Sequence, residues 1–371
     1  MALKNTIDPV HAQAALTAWL ARQLPDEAGH RVSDVRIPAD SGISAETVLF
    51  DAEWSKAGVT HSRGFVARVQ PETGGVFPHC DLEPEFRTMQ VLGTKTDIPV
   101  PEALWLERDA GVLGAPFLVM EKLTGRVPQD DPPFTATGWL LELSHDDQHT
   151  LYDNGLRAMS ALATLDVEAL GFGFLADTEM GAATVAANVD KWRAFFDWSR
   201  DGEPNPVIEA GFDWLDTHGA PEPERLALSW GDARLGNIMF DDDLSVAGLL
   251  DWELASLSSP EADLGWWLFL LRHHTEGIGL PMPAGFPDAA TTITRWQKLT
   301  GLTAHNLDYF EVYAAVRLAV AMVRAAKMMI ANGQLPPDAP MALTNPAVQL
   351  LGTILGLSAA ALETQTFIGN R

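Results

Sequence analysis

A chain of 371 residues, 47% hydrophobic and 20% charged, can bury a sizeable core and has the length of two domains or lobes, which excludes a disordered or fibrous protein. Fifty acidic against 25 basic residues give a formal net charge of -25, a balance that repels phosphate backbones and argues against a nucleic-acid partner. The single cysteine, Cys80, excludes an intramolecular disulfide framework and a cysteine-cluster zinc site, and fits a reducing compartment with the cytoplasm as the default location.

Asp8, His11 and Gln13 interrupt the N-terminal region before any secretory apolar run can form. Asp8 and Pro9 instead read as the cap and first turn of a helix carrying Leu16, Trp19 and Leu20 on one side. Short β-rich runs follow: "RVSDVRI", "ETVLFDAEW", "GFVARVQ", "EALWLER" and "PFLVMEKL", each bounded by Gly, Pro, Asp or Ser. They predict a small, mainly antiparallel sheet. One helical segment interrupts them, "DLEPEFRTMQVLG", with Leu82, Phe86, Met89 and Leu92 at helical spacing and Gly93 as the expected stop. Beyond residue 125 the pattern is mostly helical, with loops rich in Pro and Gly at 127–138 and 202–206. The most apolar segment, Val312 to Ala331, carries Arg317, Arg324 and Lys327 on one stripe, as a helix of a soluble core does and a membrane span does not. No membrane association is expected. The fold class expected is α+β, with an N-lobe over 1–123 and a helical C-lobe over 124–371, and a ligand in the cleft between lobes.

Within the second lobe lies "SWGDARLGNIMFDDDLSVAGLLDWELA", residues 229–255. Val246 to Leu250 reads as a short buried strand after the acidic turn Asp241 to Asp243, and Ile238 to Phe240 as its hairpin partner. Asn237 and Asp251 then lie at the same end of the hairpin. An amide carbonyl and a carboxylate are hard oxygen ligands, too few to cage calcium but suited to Mg²⁺ that completes its shell with water and phosphate oxygens. Asp232, five positions before Asn237, would face the same place as a base or orienting group. The order Asp, four residues, Asn, strand, Asp matches the arrangement used for phosphoryl transfer.

With "WGDARLGNIMF" and "LLDWELASLSSPEADLGWW", the chain resembles the phosphotransferase family that includes aminoglycoside phosphotransferases, choline kinase-like enzymes and the kinase domains fused to some acyl-CoA dehydrogenases. The likeness is specific in the core motif and looser over residues 30–330. It implies a protein-kinase-like two-lobed fold and transfer of the γ-phosphate of ATP to a small-molecule hydroxyl. Carried over by position, Asp232 would accept or orient that hydroxyl, Arg234 would lie near the γ-phosphate, and Asn237 and Asp251 would bind Mg²⁺. Asp263, in "EADLGWW", resembles the family's buried Asp that accepts N–H bonds from the catalytic loop; a plain helix N-terminal Asp reads almost as well.

The first lobe should supply the nucleotide clamp. "ADSGISAETVLF" places Ser41, Gly42, Ser44 and Ala45 between two strands, where backbone N–H groups could approach phosphates above 41–47, Thr47 included. Strand alternation puts Val66 and Arg68 on one face, and Arg68 stands where the family places its ATP-binding Lys. Glu85 falls on the apolar stripe of its helix and needs a partner, for which Arg68 is the obvious choice. "FLVMEKLTG" resembles the hinge whose backbone binds adenine, through Glu121 and Leu123 with Met120 packed nearby.

Three departures from the family pattern stand out. Trp230 replaces a His that usually braces the loop, Arg replaces Lys at 68, and Glu253 could be a second metal ligand or face solvent. The acceptor is expected against 190–200, 263–276 and 311–327, where Arg317, Arg324 and His273 suggest something less cationic than an aminoglycoside and the motif forms favour a metabolic hydroxyl. The partners expected are ATP and a small hydroxylated substrate, with the chain a monomer or homodimer. Two other readings remain: a nucleotide-binding pseudokinase without turnover, and a hydrolase using Asp232 and Asp251 as a carboxylate pair.

Overall fold

The computed structural model describes residues 7–38, 45–71, 75–78, 81–178 and 181–357. Ser41, Gly42, Ser44 and Cys80 lie outside these. The chain divides into two compact units, Met1–Thr124 and Gly125–Arg371.

In the first unit, Asp8 caps helix α1 (Pro9–Gln23) by accepting the Val10 N–H, and Pro9 occupies the first turn where its missing donor costs nothing. Strands β1 (Ala28–Arg36), β2 (Glu46–Lys56), β3 (Val59–Val69), β4 (Ala103–Glu107) and β5 (Phe117–Glu121) form an antiparallel sheet in the order β1-β2-β3-β5-β4. Ladder β2–β3 starts five residues earlier on β3 than the apolar alternation indicates. The two-residue turn Ala57-Gly58, with φ of 49° and 80°, closes a hairpin whose polar arm Val59 to Arg63 pairs out to Lys56.

Strand alternation gives the sheet two faces. Val48, Phe50, Phe65, Ala67, Val69, Phe117 and Val119 pack with Leu16, Trp19 and Leu20 of α1 in one core. Thr47, Leu49, Val66, Arg68, Leu118 and Met120 fall on the opposite face by register. Helix α2 (Leu82–Lys95) buries Leu82, Glu85, Thr88, Met89 and Leu92, with Phe86 only half-buried. Gly93 does not stop it. The end is set by Thr96, whose extended backbone and N–H and hydroxyl bonds to the Leu92 carbonyl close the last turn, while Gly93 lies exposed inside the helix.

In the second unit, helices α3 (Trp139–Glu142), α4 (His145–Leu162), α5 (Val167–Leu170), α6 (Val185–Arg200) and α7 (Pro206–His218) precede the short strands β6 (Ala227–Ser229), β7 (Ile238–Phe240), β8 (Val246–Leu249) and β9 (Ser256–Ser258). Then come α8 (Glu261–His273), α9 (Ala289–Thr300), α10 (Leu307–Ala331) and α11 (Pro346–Ile354). Buried along most of its length, α10 packs against α6, α7, α8 and α11. Its approach to α8 depends on Gly265, where an added Cβ would lie 2.5 Å from the Phe310 Cβ. Among the described residues no helix is long and apolar enough to cross a membrane.

Candidate active site

The hairpin expected from the acidic turn is present. β7 and β8 pair antiparallel, and Leu250 donates its N–H to the Asn237 carbonyl at 2.8 Å, so Asn237 and Asp251 leave the ladder at the same end. Strand β6 pairs with β9, which sets the chain before Trp230 beside the chain after Asp251.

Asp232 sits at the centre of a dense set of donors. Its Oδ2 accepts the Asn237 Nδ2–H at 2.7 Å and the Arg234 Nε–H at 2.9 Å, and its Oδ1 accepts the Trp266 Nε1–H at 2.9 Å. The Asn237 amide also donates to the Asp232 carbonyl at 3.0 Å. With that nitrogen committed, Oδ1 of Asn237 is the atom left to accept a cation. Asp251 follows β8 with φ of 61°, a left-handed backbone that Asp tolerates better than bulky residues. An amide oxygen and a carboxylate at one hairpin end are a donor set that fits Mg²⁺. Among the described residues no group of three His, Cys, Asp or Glu is placed to hold a metal ion, so the rest of a shell would come from water and substrate.

The backbone of this loop is held as tightly as its side chains. Asp263, near the start of α8, accepts the Ser229 hydroxyl at 2.8 Å and the Trp230 and Gly231 N–H groups at 2.7 and 3.1 Å. Burial pushes its carboxyl up, and the three donors offset only part of that. Gly231 has φ of 87°, and an added Cβ would lie 2.2 Å from the Leu254 carbonyl oxygen, so only glycine passes here. Trp230, standing where many members of the resembled family have His, donates its indole N–H to the Leu250 and Asp251 carbonyls at 2.8 and 3.2 Å and stacks on Trp252. It ties the Asp232 loop to the Asp251 turn.

Two features had no warning in the local sequence. Asp130, from the Pro-rich loop, forms an ion pair with Arg234 Nη1, and His274 Nε2 lies 3.8 Å from its other oxygen. Desolvation opposes the Asp130 charge, yet Arg234 and then His274 hold its carboxyl below the usual range; desolvation likewise opposes the Arg234 charge, and Asp130 and Asp232 raise that guanidinium above its ordinary value. The second is Trp266. One turn beyond Asp263 on the same helix face, it was readable as core, and only the i, i+3 relation to Asp263 could have pointed it at the loop.

In the first unit, Arg68 Nη1 lies 3.1 Å from Glu85 Oε1, with side chains 10% and 2% exposed. Thr47 pairs with Arg68 in register and Val66 with Met120; Thr47, Val66 and Met120 are half-buried on that face. Glu121 donates its N–H to the Glu102 carbonyl at 2.9 Å, and among the described residues the Leu123 N–H makes no backbone hydrogen bond. Arg317 is not a group that faces a substrate. It is 5% exposed, donates from Nη2 to the Gly231 carbonyl at 2.6 Å and lies against the rings of Trp266, Trp192 and Tyr313. His273 is buried as well. Of the three groups from which a less cationic acceptor is expected, Arg317 and His273 are thus buried, and Arg324 is half-buried with its guanidinium 4.3 Å from the Trp198 ring.

Residues 36–299 match the model of the phosphotransferase enzyme family. Acyl-CoA dehydrogenase family member 10 of Mus musculus is 29% identical over 211 residues, which are 55% of this chain and 18% of that protein. The chain spans about a fifth to a quarter of the length of the curated relatives first matched, at 22%, 18% and 25%. A crystal structure of a putative aminoglycoside phosphotransferase from Ralstonia eutropha JMP134 has a TM-score of 0.63 at 24% identity, covering 92% of this chain and 95% of that one. The aminoglycoside phosphotransferase APH(4)-Ia, solved as a ternary complex with AMP-PNP and hygromycin B, has a TM-score of 0.55 at 13% identity over 92% and 98% of the two chains. These structural likenesses establish the protein-kinase-like α+β fold.

Proposed function

The chain belongs to the phosphotransferase enzyme family, and from that premise we propose that it is an ATP- and Mg²⁺-dependent kinase that phosphorylates a hydroxyl of a small molecule. The observation that carries the reading is the Asp232 carboxylate, fixed by three donors beside an Asn–Asp pair whose oxygens suit a hard cation. In the reaction the acceptor oxygen forms a bond to the γ-phosphorus as the bond to the β–γ bridging oxygen breaks. The hydroxyl proton passes to Asp232 and ADP leaves. Asp232 orients the hydroxyl, and its fixed rotamer provides the positioning on which a loose transition state depends. Arg234, whose Nε and Nη1 are held by Asp232 and Asp130, offers Nη2 to phosphate oxygens. Arg68, held by Glu85, supplies a cation for the nucleotide phosphates, and the Glu121 carbonyl and Leu123 N–H supply the adenine contacts. When bound, Mg²⁺ neutralises phosphate charge, and Asn237 and Asp251 are the residues that would hold it.

The similar proteins, acyl-CoA dehydrogenase family members and aminoglycoside phosphotransferases, leave the acceptor open between a metabolite and an antibiotic-like compound. Trp230 and Arg68, the two departures that would favour a silent nucleotide binder, each make the contact their position calls for. The test is a thermal-shift titration with ATP, with and without Mg²⁺, followed by an ADP-release screen over hydroxylated metabolites and antibiotics for wild type and Asp232→Asn. The expected result is Mg²⁺-dependent stabilisation and ADP release that Asp232→Asn abolishes. Nucleotide binding with equal, substrate-independent ADP release in both proteins would instead identify a pseudokinase.

A further inference from the structure

We propose that Trp266 is a positioning residue that holds the Asp232 carboxylate in its reactive rotamer through the indole N–H, an inference that rests on the kinase reading above.

Of the three donors to Asp232, two lie on the same loop. Arg234 and Asn237 are two and five residues away and move with it, and both are also the groups proposed to engage phosphate and cation. Trp266 is different. Its Nε1–H reaches Oδ1 at 2.9 Å from α8, a helix packed on α10, so it is the donor that ties the carboxylate to the helical framework and not to the loop itself.

The indole is gripped so that its N–H can aim. It is 4% exposed, and the Arg317 guanidinium lies 4.3 Å from its ring. Arg317 is placed in turn by Trp192 at 4.9 Å, Tyr313 at 5.4 Å and its bond to the Gly231 carbonyl. A cation over the indole face draws electron density from the ring and makes the N–H a stronger donor. Gly265 permits this stacking by letting α8 approach Phe310 closely. One turn of α8 thus fixes the loop twice: Asp263 accepts the backbone N–H groups before Asp232, and Trp266 donates a hydrogen bond to its side chain. A Trp serving only as core would need its N–H satisfied, but by any acceptor. Here the acceptor is the one carboxylate on which transfer depends.

Trp266→Phe keeps a ring against Arg317 and removes only the donor. ADP release and ATP affinity are measured with Mg²⁺ for wild type, Trp266→Phe and Asp232→Asn, together with the indole ¹⁵N–¹H resonance of Trp266, assigned by its absence in Trp266→Phe. The expected result is a kcat about tenfold to a hundredfold lower at unchanged ATP affinity, with a melting temperature lowered only by the few degrees that loss of one indole hydrogen bond entails and an indole resonance that moves in Asp232→Asn. An unchanged kcat, or a joint fall of kcat, ATP affinity and melting temperature, would overturn the role by showing Trp266 to be core alone. Absence of any Asp232-dependent ADP release in the wild type would overturn the kinase reading itself, a result distinct from an active enzyme indifferent to Trp266→Phe.

Discussion

The two units hold their buried charges in different ways. In the first, Arg68 and Glu85 form one ion pair, a strand residue matched with a helix residue on a sheet face otherwise lined by Leu118, Leu49 and Met120. In the second, Asp232, Asp263, Arg234 and Arg317 share a web of indole, amide, hydroxyl and backbone groups in which Asp232 and Asp263 each have three donors. A buried ion pair is weakened when either charge is removed. A web distributes the load, and its cost lies in the number of groups left unsatisfied when its hub goes.

Removing a hub should therefore have the largest effect. Asp263→Ala orphans the Ser229 hydroxyl and the Trp230 and Gly231 N–H groups, and at about 1–3 kcal/mol for each buried donor left unsatisfied the expected loss is about 4 kcal/mol, read by urea unfolding. Glu85→Ala removes the carboxylate that faces a buried guanidinium at 3.1 Å, and the expected loss is about 3 kcal/mol with weakened ATP binding, read by unfolding and calorimetry. A smaller loss there than at an exposed pair such as Arg31–Glu53 would break the contrast.

His273 gives a pH test of the second unit. Burial, then the neighbouring His274, pushes its imidazole down to about 3, whereas the unfolded imidazole takes its proton near 6.5. Between those values the unfolded state binds more protons, so stability falls on acidification below pH 6.5 and the loss is complete only at about 3. His273→Leu should lose about 1–2 kcal/mol less than wild type between pH 7 and pH 5, measured by urea unfolding at each pH. Equal losses in the two proteins would show that His273 does not carry this dependence. The smallest effect is expected from Trp230→Phe, which keeps the stack on Trp252 and removes the N–H bond to the Leu250 and Asp251 carbonyls. It should cost about 1 kcal/mol of stability and shift the Mg²⁺ dependence of ATP binding more than ATP binding itself.

The same contrast explains what could be read from the sequence. Strand β2 and the second half of β3 show their apolar alternation, β5 reads as a short continuous apolar run, the helix carrying Glu85 shows its stripe, and an acid on that stripe calls for a partner. The hairpin was legible because its two strands follow one another across an acidic turn, whereas the Asp263 contacts came from the family resemblance, the residues alone reading almost as well as a helix N-terminal Asp. Asp130 was not, because its partner Arg234 is 104 residues away and a Pro-rich loop carries no periodicity to orient it. The Trp266 N–H was hidden for another reason: in "DLGWWLFLL" an indole looks like core, and it is core, with one polar atom turned to use. The exposed arm of β3 was missed because polar residues paired beyond a tight turn have no apolar alternation.

The proposed phosphoryl transfer needs a cation bound at the end of the β7–β8 hairpin. ATP binding measured by calorimetry across a Mg²⁺ titration, in wild type and Asp251→Ala, tests it most directly. Affinity should rise with Mg²⁺ in the wild type and stay flat in the variant while the fold is retained. Identical Mg²⁺ dependence in the two proteins would contradict it.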